Sequence, residues 1–219
     1  MNKIRISKRI KIISKLISPY KTLADVGCDH GYLILEALNN DLIDYAIGVD
    51  NKKMPLESAK ENLKEFDKDK YDLILSDGIK DVPKGIDCLC ILGMGGILIN
   101  EILDNPNRDN FKRIILQANK NNYEVRRFMV NFGYKITNEA IIYDKKYYEV
   151  DVFEKGVEEY TELELKYGPI NLKNKTKEFT DYLKYKIGLL KDVKEESNVI
   201  DRIKEMEGLL WELVTLLII

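Results

Sequence analysis

DVGCDHGYL, at 25–33, sets an acid-bearing, glycine-containing turn between two apolar runs. Such a turn after a strand brings backbone close to a nucleotide-like ligand. A dinucleotide fingerprint needs three glycines spaced GxGxxG. Here only Gly27 and Gly31 are present, and Asp29 stands where a pyrophosphate would be repelled. The loop therefore suits a ligand with a ribose, an adenine and a charged amino-acid tail and no polyanion, which is the chemistry of S-adenosylmethionine. Asp29 or Asp25 can receive the ammonium group or order loop amides, and the first amides of the helix after Gly31 favour a carboxylate.

Further acids close the next two apolar runs. Asp50, followed by Asn51, can accept both ribose hydroxyls; Asp77 can accept from an adenine amine while Gly78 lets the ring approach. Gly93, Met94 and Gly95 open GMGG (93–96), where substrate and methyl group would meet. Each acid taken singly is more commonly a solvated strand end or helix cap; their recurrence at successive strand ends selects a cofactor site. Cys28 and the chain's one histidine, His30, fall inside the first loop, so the expected cofactor-binding set is Asp25, Gly27, Cys28, Asp29, His30, Asp50, Asn51, Asp77, Gly78, Gly93, Met94 and Gly95.

The elements that must position these residues alternate. Strand-like runs at 23–27, 44–50, 71–78, 87–95 and 112–119 are separated by helical patterns at 31–40, 55–66, 96–103 and 122–132. Alternation of this kind means a parallel sheet with ligands at the strands' carboxyl ends. After Gly133 the rhythm changes to two strands, 134–144 and 146–156, with a tight turn between them. A terminal hairpin is the mark of a class I methyltransferase sheet, since a NAD-binding Rossmann domain ends on another parallel unit. The expected fold is thus α/β: a Rossmann-like, mostly parallel seven-stranded sheet ending in a hairpin.

Outside that unit, residues 6–18 place Ile6, Ile10, Ile13 and Ile17 on one helical stripe with Ser7 as its cap. Gly168–Pro169 punctuates the chain, and two amphipathic helices follow, roughly 172–194 and 198–217, turned by EESN at 195–198. Their narrow stripes predict a C-terminal α-helical coiled-coil hairpin. The expected organisation is a cofactor-binding domain at 1–158 and a helical domain at 159–219.

Composition restricts the class of protein. With 45% hydrophobic and 33% charged residues in 219, a packed core is expected and disorder is not. Three cysteines, no CxxC and a single histidine predict neither a disulfide framework nor a metal site. The apolar tail at 209–219 is about half a bilayer span, and no secretory leader is apparent, so a cytoplasmic protein without a membrane segment is expected. Net charge is only −2, yet the first 21 residues carry Lys3, Arg5, Lys8, Arg9, Lys11, Lys15 and Lys21 and no acid. That helix reads either as a solvated basic face or as a surface for nucleic acid, with Arg126 and Arg127 in reach of the same side.

SKRI (7–10), DVGCDHGYL (25–33), SDGI (76–79), GMGG (93–96), LQANKNNYEVRRFM (116–129), YYEV (147–150) and YGP (167–169) together resemble the bacterial tRNA (adenine(22)-N1)-methyltransferase family over essentially the whole chain. The departures are Gly31, Ile34 and Ala118, where the family pattern carries alanine, proline and proline; these change backbone stiffness and leave the polar groups alone. The resemblance implies a class I fold, S-adenosylmethionine as cofactor, and methylation of N1 of an adenine in the tRNA D-arm. For that reaction Asp29 is the first candidate for an acceptor at the exocyclic amine and Asn119 the second. His30 is expected to line the pocket. The expected partner is tRNA, with no metal, no membrane and a monomeric state. Rival readings are a class I methyltransferase acting on another RNA, a protein or a small molecule, an NAD-dependent dehydrogenase, and a non-catalytic RNA-binding protein.

Overall fold

The computed structural model describes residues 4–192 and 197–215. Ser7 caps α1 (Lys8–Lys15), its hydroxyl accepting from the Ile10 amide, and the expected stripe buries Ile10, Ile13 and Ile17. Then β1 (Thr22–Val26), α2 (Tyr32–Asn39), β2 (Tyr45–Asp50), α3 (Lys53–Leu63), β3 (Tyr71–Leu75), β4 (Cys88–Met94), α4 (Gly96–Leu103), β5 (Arg113–Ala118) and α5 (Asn122–Asn131) alternate as the apolar periodicity predicts. β6 (Tyr134–Asp144) and β7 (Lys146–Lys155) form the terminal hairpin, turned at Lys145 in a left-handed conformation with φ 64°.

The seven strands lie in the order β3-β2-β1-β4-β5-β7-β6. β1 to β5 run parallel, and the hairpin joins β5 antiparallel. The order reverses between β1 and β4, the place where open α/β sheets open a crevice for ligands. Strand parity decides which side chains face which layer. Ala24, Val26, Leu89, Ile91, Ile114 and Leu116 share a core with Ile99 and Leu103 of α4 and Val125 and Met129 of α5. Leu23, Cys88, Cys90 and Ile115 share the opposite core with α1 and α2. Asp25 and Gln117, two residues beyond Leu23 and Ile115, are carried by the same parity onto the α1 side. All three cysteines are buried thiols.

Beyond the sheet come α6 (Glu162–Tyr167), α7 (Pro169–Asn174), α8 (Lys177–Lys191) and α9 (Ser197–Thr215). The helix expected at 172–194 is divided in two. Lys175 takes a left-handed conformation (φ 50°) that ends α7, and the Thr176 hydroxyl accepts from the Phe179 amide to start α8. Phe179, Leu183, Ile187 and Met206 pack with Ile141 of β6, so the helical pair rests on the sheet's edge hairpin. Lys3, residues 195 and 196 of the expected turn, Leu217 and the Leu213 side chain lie outside what the structure describes.

A buried ion cluster fastens this helical region to the sheet. The fully buried Arg126 guanidinium of α5 meets Glu149 of β7 at 3.2 Å, Asp151 of β7 at 2.9 Å and Glu139 of β6 at 3.4 Å. Its Nη1 also donates to the carbonyls of Leu165 and Lys166 at the end of α6. Glu139 accepts the Ile170 and Asn171 amides at the start of α7, and the Tyr182 hydroxyl of α8 donates to Glu149. Burial, reinforced by the neighbouring Asp151, pushes the Glu139 carboxyl up to about 8. Burial likewise raises Asp151, against the pull of Arg126. The placement of Arg126 on an RNA-facing surface is therefore corrected: its charge is spent on three carboxylates inside the protein. Arg127 is exposed and donates to the Tyr123 hydroxyl at 3.0 Å.

Among the described residues, no helix is long and apolar enough to cross a membrane, and no group of three or more His, Cys, Asp or Glu could hold a metal.

Candidate active site

Four strand ends meet at one cleft of about 810 Å³ at the β1/β4 reversal. It is lined by Asp25 within β1 and Gly27, Cys28, Asp29 and His30 after it, Asp50 at the end of β2 and Asn51 after it, Asp77 and Gly78 after β3, and Gly93 and Met94 of β4. Every member of the expected cofactor set is there except Gly95. Gly95 instead caps α4 in an extended conformation, φ −74° and ψ 142°.

The first loop is tight because its amides turn back on the sheet. Gly27 and Cys28 both donate to the Val49 carbonyl, at 2.8 and 3.0 Å, and Gly31 donates to Cys28 at 2.7 Å. Gly27, Asp29 and Gly31 all have positive φ, 74°, 48° and 67°. At Gly27 space is short as well: an added Cβ would lie 2.2 Å from the Met94 Cε. The Gly27 backbone thus runs close under the Met94 terminal methyl, and both line the cleft.

The carboxylates differ in commitment. Asp25 is buried, and burial, aided by Asp50 and Asp29 against the pull of Arg9, raises it from 3.8 to about 7. Asp29 is exposed and faces His30, Oδ1 to Nε2 3.6 Å. His30 stacks on Tyr32, ring centroids 5.3 Å apart. Asp50 accepts the Lys52 amide on one oxygen at 3.0 Å, leaving the other without a hydrogen bond among the described residues. Ser76 donates to Asp81 at 2.6 Å, holding the turn that presents Asp77, whose carboxylate has no hydrogen-bond partner among the described residues. Burial raises the Cys28 thiol well above its ordinary value, so it is an uncharged wall rather than a nucleophile.

GMGG divides its labour by position. The β4–β5 register shifts between Leu92 and Met94, so Gly93 (φ 78°) is an inserted residue. Gly96 serves close packing, since a Cβ there would lie 2.6 Å from the Asn121 carbonyl oxygen. Asn119, just past β5, does not line the cleft; it lines an adjoining groove. Its Nδ2 donates to the Gly93 carbonyl at 2.6 Å, and its Oδ1 accepts from Gln117 at 3.3 Å.

Sequence reasoning missed the contribution of α1 to the cleft. Arg5, Ser7 and Arg9 line it, and the Arg9 guanidinium donates to the Gln117 Oε1 and lies 4.8 Å over the Tyr148 ring. The Arg9 amide donates to Asp144 at 3.0 Å, pinning the helix start to the hairpin. The signal was present in SKRI and LQAN, but the partners are separated by more than a hundred residues and no local pattern joins them.

This donor set fits a cofactor that presents hydroxyls and amines and carries no pyrophosphate: uncommitted carboxylate oxygens at Asp29, Asp50 and Asp77, and a basic group, Arg9, already tied to Gln117.

Comparisons agree with this reading. The profile of the family described as tRNA (adenine(22)-N(1))-methyltransferase matches residues 23–212. The tRNA (adenine(22)-N(1))-methyltransferase of Bacillus subtilis is 33% identical over 162 residues, covering 71% of this chain and 68% of that protein. Among solved structures, Streptococcus pneumoniae Sp1610 in complex with S-adenosyl-L-methionine superposes with a TM-score of 0.87 at 28% identity, over 94% of this chain and 100% of that one. M. capricolum TrmK in complex with S-adenosyl-homocysteine gives 0.77 at 27% identity, over 96% of each chain. With the matched profile spanning the cofactor cleft, the sheet and most of the helical region, the chain belongs to the tRNA (adenine(22)-N(1))-methyltransferase family.

Proposed function

We propose that the protein methylates N1 of adenine 22 in the D-arm of bacterial tRNA, using S-adenosylmethionine, with residues 1–158 holding the cofactor and 159–219 as a helical unit. A cytoplasmic place of work goes with that substrate. The observation that carries the reading is the convergence of Asp29, Asp50, Asp77 and the Gly93–Met94 turn on one cleft. Bound there, S-adenosylmethionine supplies an electrophilic methyl group on a sulfonium centre.

The chain's residues have defined work around it. Asp50 takes the ribose hydroxyls on its uncommitted oxygen, and Asp77 takes the adenine amine beside Gly78. Asp25 and Asp29 face the amino-acid end. Met94 closes the wall over Gly27. Adenine N1 holds its lone pair in the ring plane, so no base is needed to expose it. What the protein must provide is position, and compensation for the positive charge that develops on the base. Asp29, exposed at the rim, accepts from the exocyclic amine as that charge grows. Asn119 acts through Gly93, holding the rim against which the base sits. The Watson–Crick edge of a paired adenine is blocked, so the base must be unpaired or flipped to reach this cleft.

The test uses purified protein, labelled S-adenosylmethionine and tRNA transcripts with adenine or guanine at position 22. Label transfer that requires the adenine and yields 1-methyladenosine establishes the reading. Transfer indifferent to that base removes the site assignment, and transfer to no RNA despite cofactor binding moves the substrate to another class.

A further inference from the structure

A groove of about 620 Å³ adjoins the cleft across the Asn119–Gly93 contact: Gly93 lines one, Asn119 the other. Its walls bring together elements distant in sequence. β7 contributes Tyr147 and Tyr148, α8 contributes Tyr185 and Lys186, and the turn after β5 contributes Lys120.

The tyrosines are grouped and partly open. The Tyr147 ring lies 5.0 Å from Tyr143, 5.7 Å from Tyr182 and 5.1 Å from Tyr185. Tyr185 is 40% exposed and Tyr143 53% exposed. Rings held by one another at such spacing stand ready as platforms with little rotamer freedom left to lose.

The charge around them is uncompensated. Glu149 is taken by Arg126 and Glu205 by Lys166 at 2.9 Å. Lys120, Lys146 and Lys186 make no ion pair among the described residues, with Lys146 and Lys186 lying 5.0 and 5.6 Å over the Tyr148 and Tyr182 rings. Glu124 is the one groove carboxylate left to oppose them. Flat aromatic faces beside free ammonium groups match a ligand of alternating planar bases and phosphates. An acidic peptide would use the cations and leave the rings idle, and a duplex would keep its bases stacked within itself.

We propose that this groove binds the unpaired nucleotides adjoining the target base, stacking them on Tyr147 and Tyr185 and neutralising their phosphates with Lys120, Lys146 and Lys186. The proposal rests on the reading of an RNA substrate given above. A strand crossing the Asn119–Gly93 rim would put its target base at the cleft and its neighbours in the groove.

Fluorescence anisotropy of the full chain with a labelled single strand of D-arm sequence, and with the same strand in a duplex, tests it. The single strand is expected to bind more tightly than the duplex. Tyr185→Ala should weaken single-strand binding about tenfold, the worth of one stacked base, and Tyr185→Phe should restore it. Lys146→Gln with Lys186→Gln should flatten the slope of log affinity against log salt by about 1.4, the share of two phosphates on a single strand. S-adenosylmethionine affinity by calorimetry reports whether each variant is folded. Wild-type RNA affinity in both variants, or equal binding of duplex and single strand, overturns the proposal. So does a dimer in sedimentation that Tyr185→Ala dissociates without altering RNA binding, since a second copy would then be the occupant. Groove-dependent RNA binding without methyl transfer to tRNA supports the groove and overturns only the substrate reading.

Discussion

The side-chain amide of Asn119 donates to the Gly93 carbonyl at 2.6 Å, joining the end of β5 to the inserted residue at the end of β4. The contact ties the rim of the cofactor cleft to the mouth of the neighbouring groove. Asn119→Ala frees a carbonyl that water can satisfy, so the stability cost is small, about 0.5–1.5 kcal/mol. Misplacement of the rim should lower kcat about 10- to 100-fold. Steady-state kinetics with calorimetry checks this; unchanged kcat with weakened cofactor binding would place Asn119 in holding the cofactor instead.

Asp50 and Asp29 should separate in kinetics. Asp50→Asn loses a charged acceptor for hydroxyls, and cofactor affinity is expected to fall about tenfold, the worth of 1–2 kcal/mol for such a bond. Asp29→Asn should act mainly on kcat, because its role is in the charge that grows during transfer. Equal losses of cofactor affinity in the two variants would assign Asp29 to binding alone.

Asp25 makes stability pH-dependent. Its carboxyl is raised from 3.8 to about 7 by burial, so the native state holds a proton that the unfolded chain has released. Stability contributed by this group is present below pH 3.8 and is lost as pH rises to about 7, with no further loss above that. Asp25→Asn should therefore show a smaller fall in Tm between pH 5 and pH 8 than the wild-type chain. Identical profiles by scanning calorimetry would contradict the burial argument.

Gly27 has little tolerance for a side chain. An alanine at φ 74° is strained by about 1–2 kcal/mol. It would also push aside the Met94 terminal methyl at the cleft wall. Gly27→Ala should lower Tm by about 2–8 °C, at 2–4 °C per kcal/mol, and weaken S-adenosylmethionine binding more than that loss of stability implies. Unaltered binding would show that Met94 has no part in the wall.

Neighbouring arginines should behave oppositely. Arg126→Met leaves Glu139, Glu149 and Asp151 buried without their cation and is expected to cost about 3–5 kcal/mol in urea unfolding. Arg127→Ala, at an exposed position, should stay within about 0.5 kcal/mol. If Arg126→Met keeps its stability and loses only tRNA affinity, the buried cluster is misassigned.

The sequence by itself determined the order of elements, the terminal hairpin and the strand-end acids of the cleft. These are local properties: a period of 2 or 3.6 in apolar residues, a glycine after a helix, a carboxylate at or just past a strand end. The parallel sheet then brings its strands' carboxyl ends together whatever the intervening lengths. What only the tertiary structure decided concerns side chains paired across the fold. Arg126 and Arg127 are adjacent and alike in sequence, yet one helical step of about 100° carries the first into a nest of three carboxylates and leaves the second in water. Arg9 read as one of a run of cations until α1 packing set it against Gln117, and Gly93 read as one glycine of the GMGG cofactor turn until the register with β5 made it an inserted residue. Asn119 read as a cleft residue, and the geometry aims its amide at Gly93 instead. In each case the partner lies tens to more than a hundred residues away, so the energy that selects it exists only once the sheet has formed.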